Sequence, residues 1–558
     1  AQNGVVDLGR FSLDNMEVIS LYNGQKSAIF QPAKDYSSAS AIYMQTRKPL
    51  FKGEKKNNLN IGVKGGSFST INPSLLWEHR FNERISSSIS TEYMYTSGRY
   101  KFTYAKKDGY DTTAVRQNGD VRMLRLENAF FGKIPKGEWK AKAYLYNSER
   151  GYPGAAVREE PGKFRHQDRQ WDTNLFVQGS FQNYFKPWYS LLANGKYAYD
   201  YLHYLSDPRL DVTTMYVDNY YRQQEIYASA AHLFTIYPWW SMSLSNDFQW
   251  NTLRADLIDF VYPTRNTILT SAATSFDFNR LMLQASLLYT HVDDNTRTKG
   301  ANAGTKNKYT PSVIATWQPL TKLPLNVRAF YKKVFRMPTL NDLYYTFIGN
   351  KDLKPEYTTQ YDVGITFSHT WNNHWLKSLD LQIDGYYSEV DDKIIAMPTS
   401  NQFRWTMINL GHVEIRGLDA AIRGEWGFGK VELSTLFNYT YQKAQDFTDP
   451  TSEWYGGQIP YIPWHGGSII LNGSYQTWSC NYSFIYTGER YEAVANIPEN
   501  YAQPWYTHDF SLSKTFQWGK TGIRVTAEIN NIFNQQYEVV QCYPMPGTSF
   551  KIKLNVML

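Results

Sequence analysis

The sequence predicts an all-β protein, a 22-stranded antiparallel transmembrane β-barrel with a small N-terminal segment as a candidate plug inside its lumen. Three observations predict this fold. Apolar and polar residues alternate in segments of about ten residues, short and long connections alternate between the segments, and aromatic residues make up 16% of the 558 residues. No apolar run approaches the roughly 18 residues of a membrane helix, so strands are left as the elements that can cross a membrane. A large soluble β-protein is the alternative that composition alone leaves open.

Alternation identifies the strands. In 139–146 the odd positions are apolar or aromatic and the even positions are lysine or tyrosine, and in 550–558 apolar residues take every second position. About ten residues at ~3.3 Å each, tilted by ~45°, span the ~25 Å apolar band of an outer membrane. Segments of this type, counted from Leu59 onward, number about 22. They begin near residues 59, 71, 85, 121, 137, 171, 189, 221, 239, 265, 281, 308, 323, 358, 379, 410, 430, 465, 479, 506, 521 and 549.

The connections give the barrel its orientation. After the first hairpin a short connection such as 133–136 is followed by a long one such as 149–170, and the alternation continues to 519–520 and 536–548. Short turns on one side and long loops on the other are typical of bacterial outer-membrane barrels, whereas a soluble sandwich has no reason to sort its loops. With 1–49 on the periplasmic side, the long loops are extracellular.

Charge and cysteine content exclude several classes of protein. The net charge of +7 is spread over single Lys and Arg residues without a basic stripe, so we expect no nucleic-acid partner. Two cysteines exclude a disulfide scaffold and a cysteine metal cage. Cys480 is predicted at a periplasmic turn and Cys542 in the last external loop, too far apart for a disulfide.

Residues 1–50 differ from the rest and are predicted to form a separate segment ahead of the barrel, which follows over 51–558. They contain two short apolar strands, Met16–Leu21 and Ala41–Gln45, around a polar stretch of small residues. The lumen of a 22-stranded barrel is too wide for its own side chains to fill, so a small segment ahead of the first strand is a candidate plug. A periplasmic linker is the alternative.

Three motifs together resemble the TonB-dependent outer-membrane receptors. LDNMEVISLYNGQKSAIF and SASAIYMQTRKP, within Asp14–Pro49, are similar to the end of that family's plug, although Asn23-Gly24-Gln25 replaces its Arg-Gly-Pro. FRMPTLNDLYYTFIGNKDLKPE (Phe335–Glu356) is similar to a paired external-loop box, and INNIFNQQYEVVQCYPMPGTSFKIKL to the closing hairpin. The resemblance implies an outer-membrane importer, not an enzyme. It also implies that residues 1–50 are the C-terminal portion of a plug domain inside the lumen, of which only the final third is present here. TonB is then an implied partner, through a plug segment outside this sequence.

The resemblance also extends to the cargo. YNSERGYPGA, VDLGRFSLDN and YPMPG look most like the cobalamin receptors of the Bacteroidetes type, which implies import of cobalamin or a related corrinoid. A ferric-siderophore or haem receptor is the alternative, although Thr339–Gly349 lacks the histidine usual in haem receptors. A passive diffusion channel is the alternative from another class, and the strand count and the N-terminal segment disfavour it.

Aromatic residues crowd the external loops, where rigid rings could stack on a large flat ligand or on a partner protein. Many such rings instead form an interfacial girdle. The candidate ligand-binding residues are Tyr344, Tyr345, Phe347, Phe403, Arg404, Trp405, Trp454 and Tyr455. The candidate plug residues are Tyr22, Asn23, Gln25 and Lys26.

Further partners follow from the loops and from the predicted location. Loops this short cannot fold far over a ligand, so we expect a surface-exposed lipoprotein to cap the barrel. Lipid and lipopolysaccharide should surround its wall. No cofactor or metal is expected. Carboxylates such as Asp293–Asp294 and Asp446–Asp449 offer only a weak possibility of Ca²⁺, because neither run has a recognisable loop spacing.

Overall fold

The computed structural model describes residues 7–12, 15–24, 26–105, 111–156, 168–207, 216–298, 303–345, 349–372, 374–398 and 405–558. Nearly all regular structure in these ranges is β-strand. The exceptions are single turns of 3₁₀-helix at Leu8–Arg10, Ala33–Tyr36 and Pro498–Asn500, and one five-residue α-helix, α1 (Leu340–Tyr344). Among the described residues, no helix has the length and apolarity needed to span a membrane.

Among the described residues, twenty-two long strands form one closed antiparallel barrel, as predicted, and the two-residue strand Gly457–Gln458 joins it by pairing with Gln445 and Asp446. The first strand pairs with the last, from Asn60–Met557 to Gly66–Lys551, and this pairing closes the ring. The strands are β1 Asn57–Gly66, β2 Thr70–Arg80, β3 Ile85–Thr96, β4 Val121–Ile134, β5 Gly137–Tyr152, β6 Asp168–Lys186, β7 Tyr189–Ser206, β8 Val217–Tyr237, β9 Trp240–Ala255, β10 Thr264–Asp277, β11 Leu281–Asn295, β12 Thr305–Trp317, β13 Leu325–Arg336, β14 Glu356–Thr370, β15 Leu376–Pro398, β16 Trp405–Phe428, β17 Val431–Asp446, β18 His465–Tyr475, β19 Trp478–Thr487, β20 Trp505–Trp518, β21 Thr521–Asn530 and β22 Ser549–Met557.

The alternation in the sequence becomes the two faces of the wall. On β22, Phe550 is 58% exposed and Ile552 61% exposed on the outer face, where lipid would surround them. On β4, Arg125 and Glu127 are buried on the inner face. The outer residues near the periplasmic turn 238–239 are aromatic and stack on one another, with 5.5 Å between the ring centres of Tyr237 and Trp239. Aromatic rings at this level are typical of the girdle at a membrane interface.

Short and long connections lie where the sequence placed them. Two-residue turns such as 135–136 and 187–188 join strands at one end, and the longer loops lie at the other. The largest error among the predicted strand starts is at β16, which was expected near 410 and begins at Trp405. Cys480 lies near the turn before β19, Cys542 lies in the last long loop, and the two form no disulfide with each other.

The N-terminal segment, defined here as residues 7–50, lies inside the lumen. Its strands Met16–Asn23 and Ser40–Thr46 pair with each other and not with the wall. Its contacts reach wall strands on opposite sides of the ring, from Glu78 on β2, which Arg47 contacts at 2.6 Å, to Lys332 on β13. Contacts to inward-facing residues on so many strands are possible only from within the barrel.

One neighbouring pair of strands is joined along only half its length. β12 and β13 pair from Ser312–Lys332 down to Trp317–Val327, near the periplasmic end. β12 pairs with β11 along its whole length, and β13 does the same with β14. Four further pairs, between 308–311 and 333–336, would follow if the ladder continued in register, and they are not formed. We call this gap in the outer half of the wall the seam.

Candidate binding site

The turn between the two strands of the N-terminal segment, residues 24–39, forms an apex that is fixed to the wall. Lys332 is 1% exposed, and its Nζ donates to the carbonyl oxygens of Gly24 at 3.2 Å and Ser38 at 2.8 Å. Gly24 has φ +78°, a conformation that favours glycine, and a Cβ there would lie 2.6 Å from Cζ of Phe330. The apex therefore fits closely against β13.

A second set of contacts holds the apex to β9–β11. The carboxylate of Asp247 accepts from the backbone N–H of Ala33 at 3.0 Å and of Lys34 at 2.8 Å, at the start of the 3₁₀ turn. Helix N-termini present such unpaired N–H groups, and a carboxylate is their natural partner. The apolar side of the apex packs on the wall in a cluster of Ile29, Ala33, Tyr36, Leu269, Ala273 and Leu288.

A cavity of about 210 Å³ lies on the outer side of this apex. Lys34 and Ser37 form its floor. The inward faces of β9, β10 and β11 and the end of β13 form its walls, and residues 337–340 form its roof. The wall and roof residues are Gln249, Asn251, Arg265, Thr267, Leu269, Thr290, Val292, Phe335, Met337, Thr339 and Leu340.

The roof belongs to a folded loop that we call the lid, residues 337–345 and 349–355. A capping box stabilises the start of its helix α1. Thr339 Oγ1 accepts from the Asp342 N–H at 3.1 Å, and the Asp342 carboxylate accepts from the Thr339 N–H at 2.8 Å. Its apolar side chains pack against the outer ends of β8 and β9 and the loop after β9. This cluster contains Tyr221, Leu253, Ala255, Phe260, Val261, Leu340, Leu343, Tyr344, Leu353 and Ile394.

Arg265 ties the lid to the wall. Its Nε and Nη2 donate to the two carboxylate oxygens of Asp294 at 2.5 and 2.6 Å, and its Nη1 donates to the carbonyl oxygen of Pro338 at 2.6 Å. Arg265 is 8% exposed and Asp294 3% exposed, so this bidentate pair is shielded from water.

The charges that line the cavity are largely compensated. Asp294 neutralises Arg265. Glu225 accepts from Gln249 at 3.0 Å and from Asn251 at 3.5 Å, and it forms an ion pair with Lys196 at 2.9 Å. Burial lowers the pKa of the Lys34 amine, which favours its neutral form, although the charge of Glu225 opposes that shift. The cavity therefore presents mainly amides, hydroxyls and apolar groups.

The residues predicted from the sequence occupy three separate places. Tyr344 is buried in the lid core and Tyr345 stacks on Tyr221, with ring centres 4.4 Å apart. Trp454 is 36% exposed and Tyr455 48% exposed on the loop after β17. Two of the predicted plug residues, Tyr22 and Lys26, contact the ring of Tyr43. The Tyr22 ring lies edge-on to it with 5.4 Å between the ring centres, and Lys26 Nζ lies 5.5 Å from its centre. Phe347, Phe403, Arg404 and Gln25 lie outside the described residues, and Asn23 and Trp405 are described only as strand backbone.

Sequence reasoning missed the wall of the cavity. Gln249, Asn251, Arg265 and Thr290 lie on strands that were recognised, at positions that alternation assigns to the inner face. No local pattern indicates which strand ends the apex will meet, because that depends on how the chain closes around it.

The proposed calcium ligands do not form a cage among the described residues. Asp293 and Asp294 are consecutive on β11 and face opposite sides of the wall, and Arg265 occupies both oxygens of Asp294. Asp446 and Asp449 each accept from a nearby threonine, Thr448 or Thr451. Over the described ranges no group of three or more His, Cys, Asp or Glu side chains is arranged to hold a metal ion.

Comparison with known proteins gives one family. Residues 74–532 match the family model described as TonB dependent receptor-like, beta-barrel. The vitamin B12 transporter BtuB of Photobacterium profundum is 28% identical over 244 residues, 42% of this chain and 36% of the relative. The BtuB of Vibrio vulnificus (strain YJ016) is 30% identical over 207 residues, 37% of this chain and 29% of that relative. The matches thus span about a third of the length of these curated relatives.

The fold itself is shared with solved structures. The FrpB iron transporter from Neisseria meningitidis (F5-1 variant) superposes with a TM-score of 0.75 at 12% identity, covering 98% of this chain and 89% of that one. The superposition shows a common fold, and at this low identity the likeness concerns the fold alone.

Proposed function

The chain belongs to the TonB-dependent receptor family of outer-membrane β-barrels, and on that premise we propose that it imports a large, scarce nutrient, namely cobalamin or a related corrinoid. The observation that carries the proposal is the cavity between the apex and the lid. It lies on the outer side of a segment that occupies the lumen, where a cargo arriving from outside would be held before passage. Release then requires the N-terminal segment to move.

The chemistry of the cavity supports a corrinoid over a ferric siderophore. Corrinoids carry many neutral amide groups, which match the amides of Gln249 and Asn251 and the hydroxyls of Thr267 and Thr290. A ferric siderophore is commonly anionic and needs uncompensated cations, whereas Asp294 already pairs with Arg265. The two vitamin B12 transporters described above support this choice.

The size of the cavity sets a condition on binding. Sites for drug-sized ligands usually have ~300–1,000 Å³, and this cavity has about 210 Å³. With the lid in place it accommodates an edge of a corrinoid, and the rest of the molecule would extend beyond it. We propose that the roof rises to admit the complete cargo.

Equilibrium binding to the purified chain tests the cargo. We expect cyanocobalamin to be retained, and haemin and a ferric catecholate not to be. Retention of haemin or the ferric complex without cyanocobalamin would replace the corrinoid with the alternative cargo. A passive channel would instead retain none of the three and would admit small sugars into liposomes.

The proposal includes three kinds of partner. TonB would act from the periplasm, and lipid and lipopolysaccharide would contact the outer wall. A surface lipoprotein would cover the outer mouth, where Trp454 and Tyr455 are exposed on the rim. Purification from native membranes tests the last of these. Recovery of this chain without a stoichiometric lipoprotein would remove it from the proposal.

A further inference from the structure

We propose that the seam between β12 and β13 is a hinge on which the lid swings, and that Arg265 is the positioning residue that latches it shut. The chain runs directly from the end of β13 that is not paired with β12, at Arg336, into the lid. The same strand end supplies Phe335 to the cavity, and the lid supplies its roof. This inference deepens the import proposal, because it states how cargo too large for the closed cavity gains entry.

The sequence provides a reason for the ladder to stop where it does. Pro311 lies next to Ser312, the last residue of β12 that pairs with β13. The pairing of β12 with β11 continues through Pro311 without a change of register. The backbone N–H that proline lacks would therefore have pointed toward β13, where it would have donated to the ladder. A proline alone is not sufficient, because Pro73 on β2 interrupts the pairing with β3 only between Ile71 and Ser74, after which the ladder resumes in the same register.

Charge provides the second reason. Continuing the register would place Lys308 directly opposite Arg336, and like charges at facing positions destabilise a sheet. In the structure these two cations are engaged elsewhere. Lys308 Nζ lies 5.0 Å from the ring centre of Tyr357, and Arg336 pairs with Asp342 at 3.5 Å and Glu356 at 3.4 Å.

The contact of Lys308 shows how the wall overlaps at the seam. Lys308 lies on the same face of β12 as buried Thr310, the inner face, whereas Tyr357 lies on the outer face of β14 beside exposed Tyr361. An inner-face residue of β12 can meet an outer-face residue of β14 only if the ends of β13 and β14 lean inward behind β12. The inward lean carries the lid over the cavity.

Closure of the lid and pairing of β12 with β13 across the seam therefore exclude each other. When the lid is in, as here, the strand ends are apart. When the lid swings out, β13 returns toward β12 and positions 310 and 334 come to face each other. Opening must break the bond from Arg265 to Pro338 and unpack the apolar cluster around Leu343, which is 1% exposed. No ladder bond between β12 and β13 has to break.

Disulfide trapping measures this motion without any cargo, so its failure would leave the import proposal intact. In a background of Cys480→Ser and Cys542→Ser, the pair Thr310→Cys and Val334→Cys should form a disulfide only when the seam closes, since a disulfide needs Cα atoms within ~7 Å. We expect slow oxidation in the otherwise unchanged chain, followed as loss of maleimide-reactive thiols in native membranes.

Three further variants should accelerate that oxidation about tenfold or more. Arg265→Gln removes a buried charge-assisted bond of the latch, and Leu343→Ala loosens the lid core. Lys308→Glu removes the repulsion from Arg336 and leaves the cavity and lid unchanged. Lys308→Arg, its matched control, should oxidise at the original rate. The pair Val313→Cys and Tyr331→Cys, which already face each other in the ladder, should oxidise equally fast in every background. Equal rates for the seam pair across all backgrounds would overturn the hinge.

Discussion

At the scale of single residues, the cavity depends on side chains whose neighbours have fixed them in advance. Gln249 and Asn251 both donate to Glu225, so neither amide has to be ordered when a ligand arrives. Preorganised polar groups of this kind contribute to affinity because the entropy of ordering them is already lost.

Asn251→Leu should weaken cyanocobalamin binding about five- to tenfold, since one hydrogen bond is worth about 1 kcal/mol. Asn246→Leu is the matched control. It changes the same residue type on the same strand, but on the exposed outer face. Isothermal titration of both variants makes the comparison, and equal affinities would show that Asn251 does not contact the cargo.

The predicted aromatic ligands show the limit of sequence reasoning at this scale. Tyr344 and Tyr345 were chosen because they lie in a loop rich in aromatic residues, and the structure places both in the packing of the lid. A tyrosine in a loop box has the same local sequence whether its ring faces a ligand or a hydrophobic cluster. Their contact with cargo stays a prediction, as does that of Trp454 and Tyr455.

At the scale of elements, the strands were predictable because the residues of each strand alternate between two environments, the lipid outside and the lumen inside. β22 alternates apolar and polar residues along its whole length, and its start at Ser549 was found to the residue. The apex was not predictable, because its conformation depends on Asp247 and Lys332, more than 200 residues away in the chain. The seam escaped prediction for a similar reason, since it requires knowing which residue faces Lys308.

The apex makes its own prediction. Gly24→Ala should displace the apex from β13, because it adds a Cβ 2.6 Å from Phe330 and places alanine at φ +78°. Gly53→Ala is the matched control, with φ +55° and open space around the added Cβ. Hydrogen exchange should become faster at residues 33 and 34 in the first variant alone. Unchanged exchange there would mean that the apex tolerates a side chain at this position.

At the scale of the whole molecule, the N-terminal segment is held mainly by polar contacts to the wall. Arg47–Glu78 at 2.6 Å and Lys48–Glu138 at 2.6 Å hold its periplasmic end, Lys332 and Asp247 hold the apex, and Arg10 contacts Asn174 at 2.8 Å. Such contacts can be exchanged for contacts with water at modest cost, so the segment can detach without unfolding the barrel.

Removal of residues 1–50 should therefore leave a folded barrel with a wider passage. We expect the shortened chain to show a larger single-channel conductance in planar bilayers than the full chain, with the heat-resistant migration of an intact barrel in gels. Equal conductance of the two chains would show that the N-terminal segment does not restrict the lumen.

The seam also affects the mechanics of the ring. A β-barrel resists changes of circumference as a hoop does, because the hydrogen-bonded ladders follow one another around it and all must stretch together. Here the hoop is complete at the level of Ser312 and Lys332 and cut above them. The periplasmic half keeps a fixed girth, whereas the girth of the outer half can change at the cut. Lateral pressure in the outer leaflet therefore acts on a rim that can widen at the seam. The lipid composition of that leaflet should then affect how easily the mouth of the barrel widens.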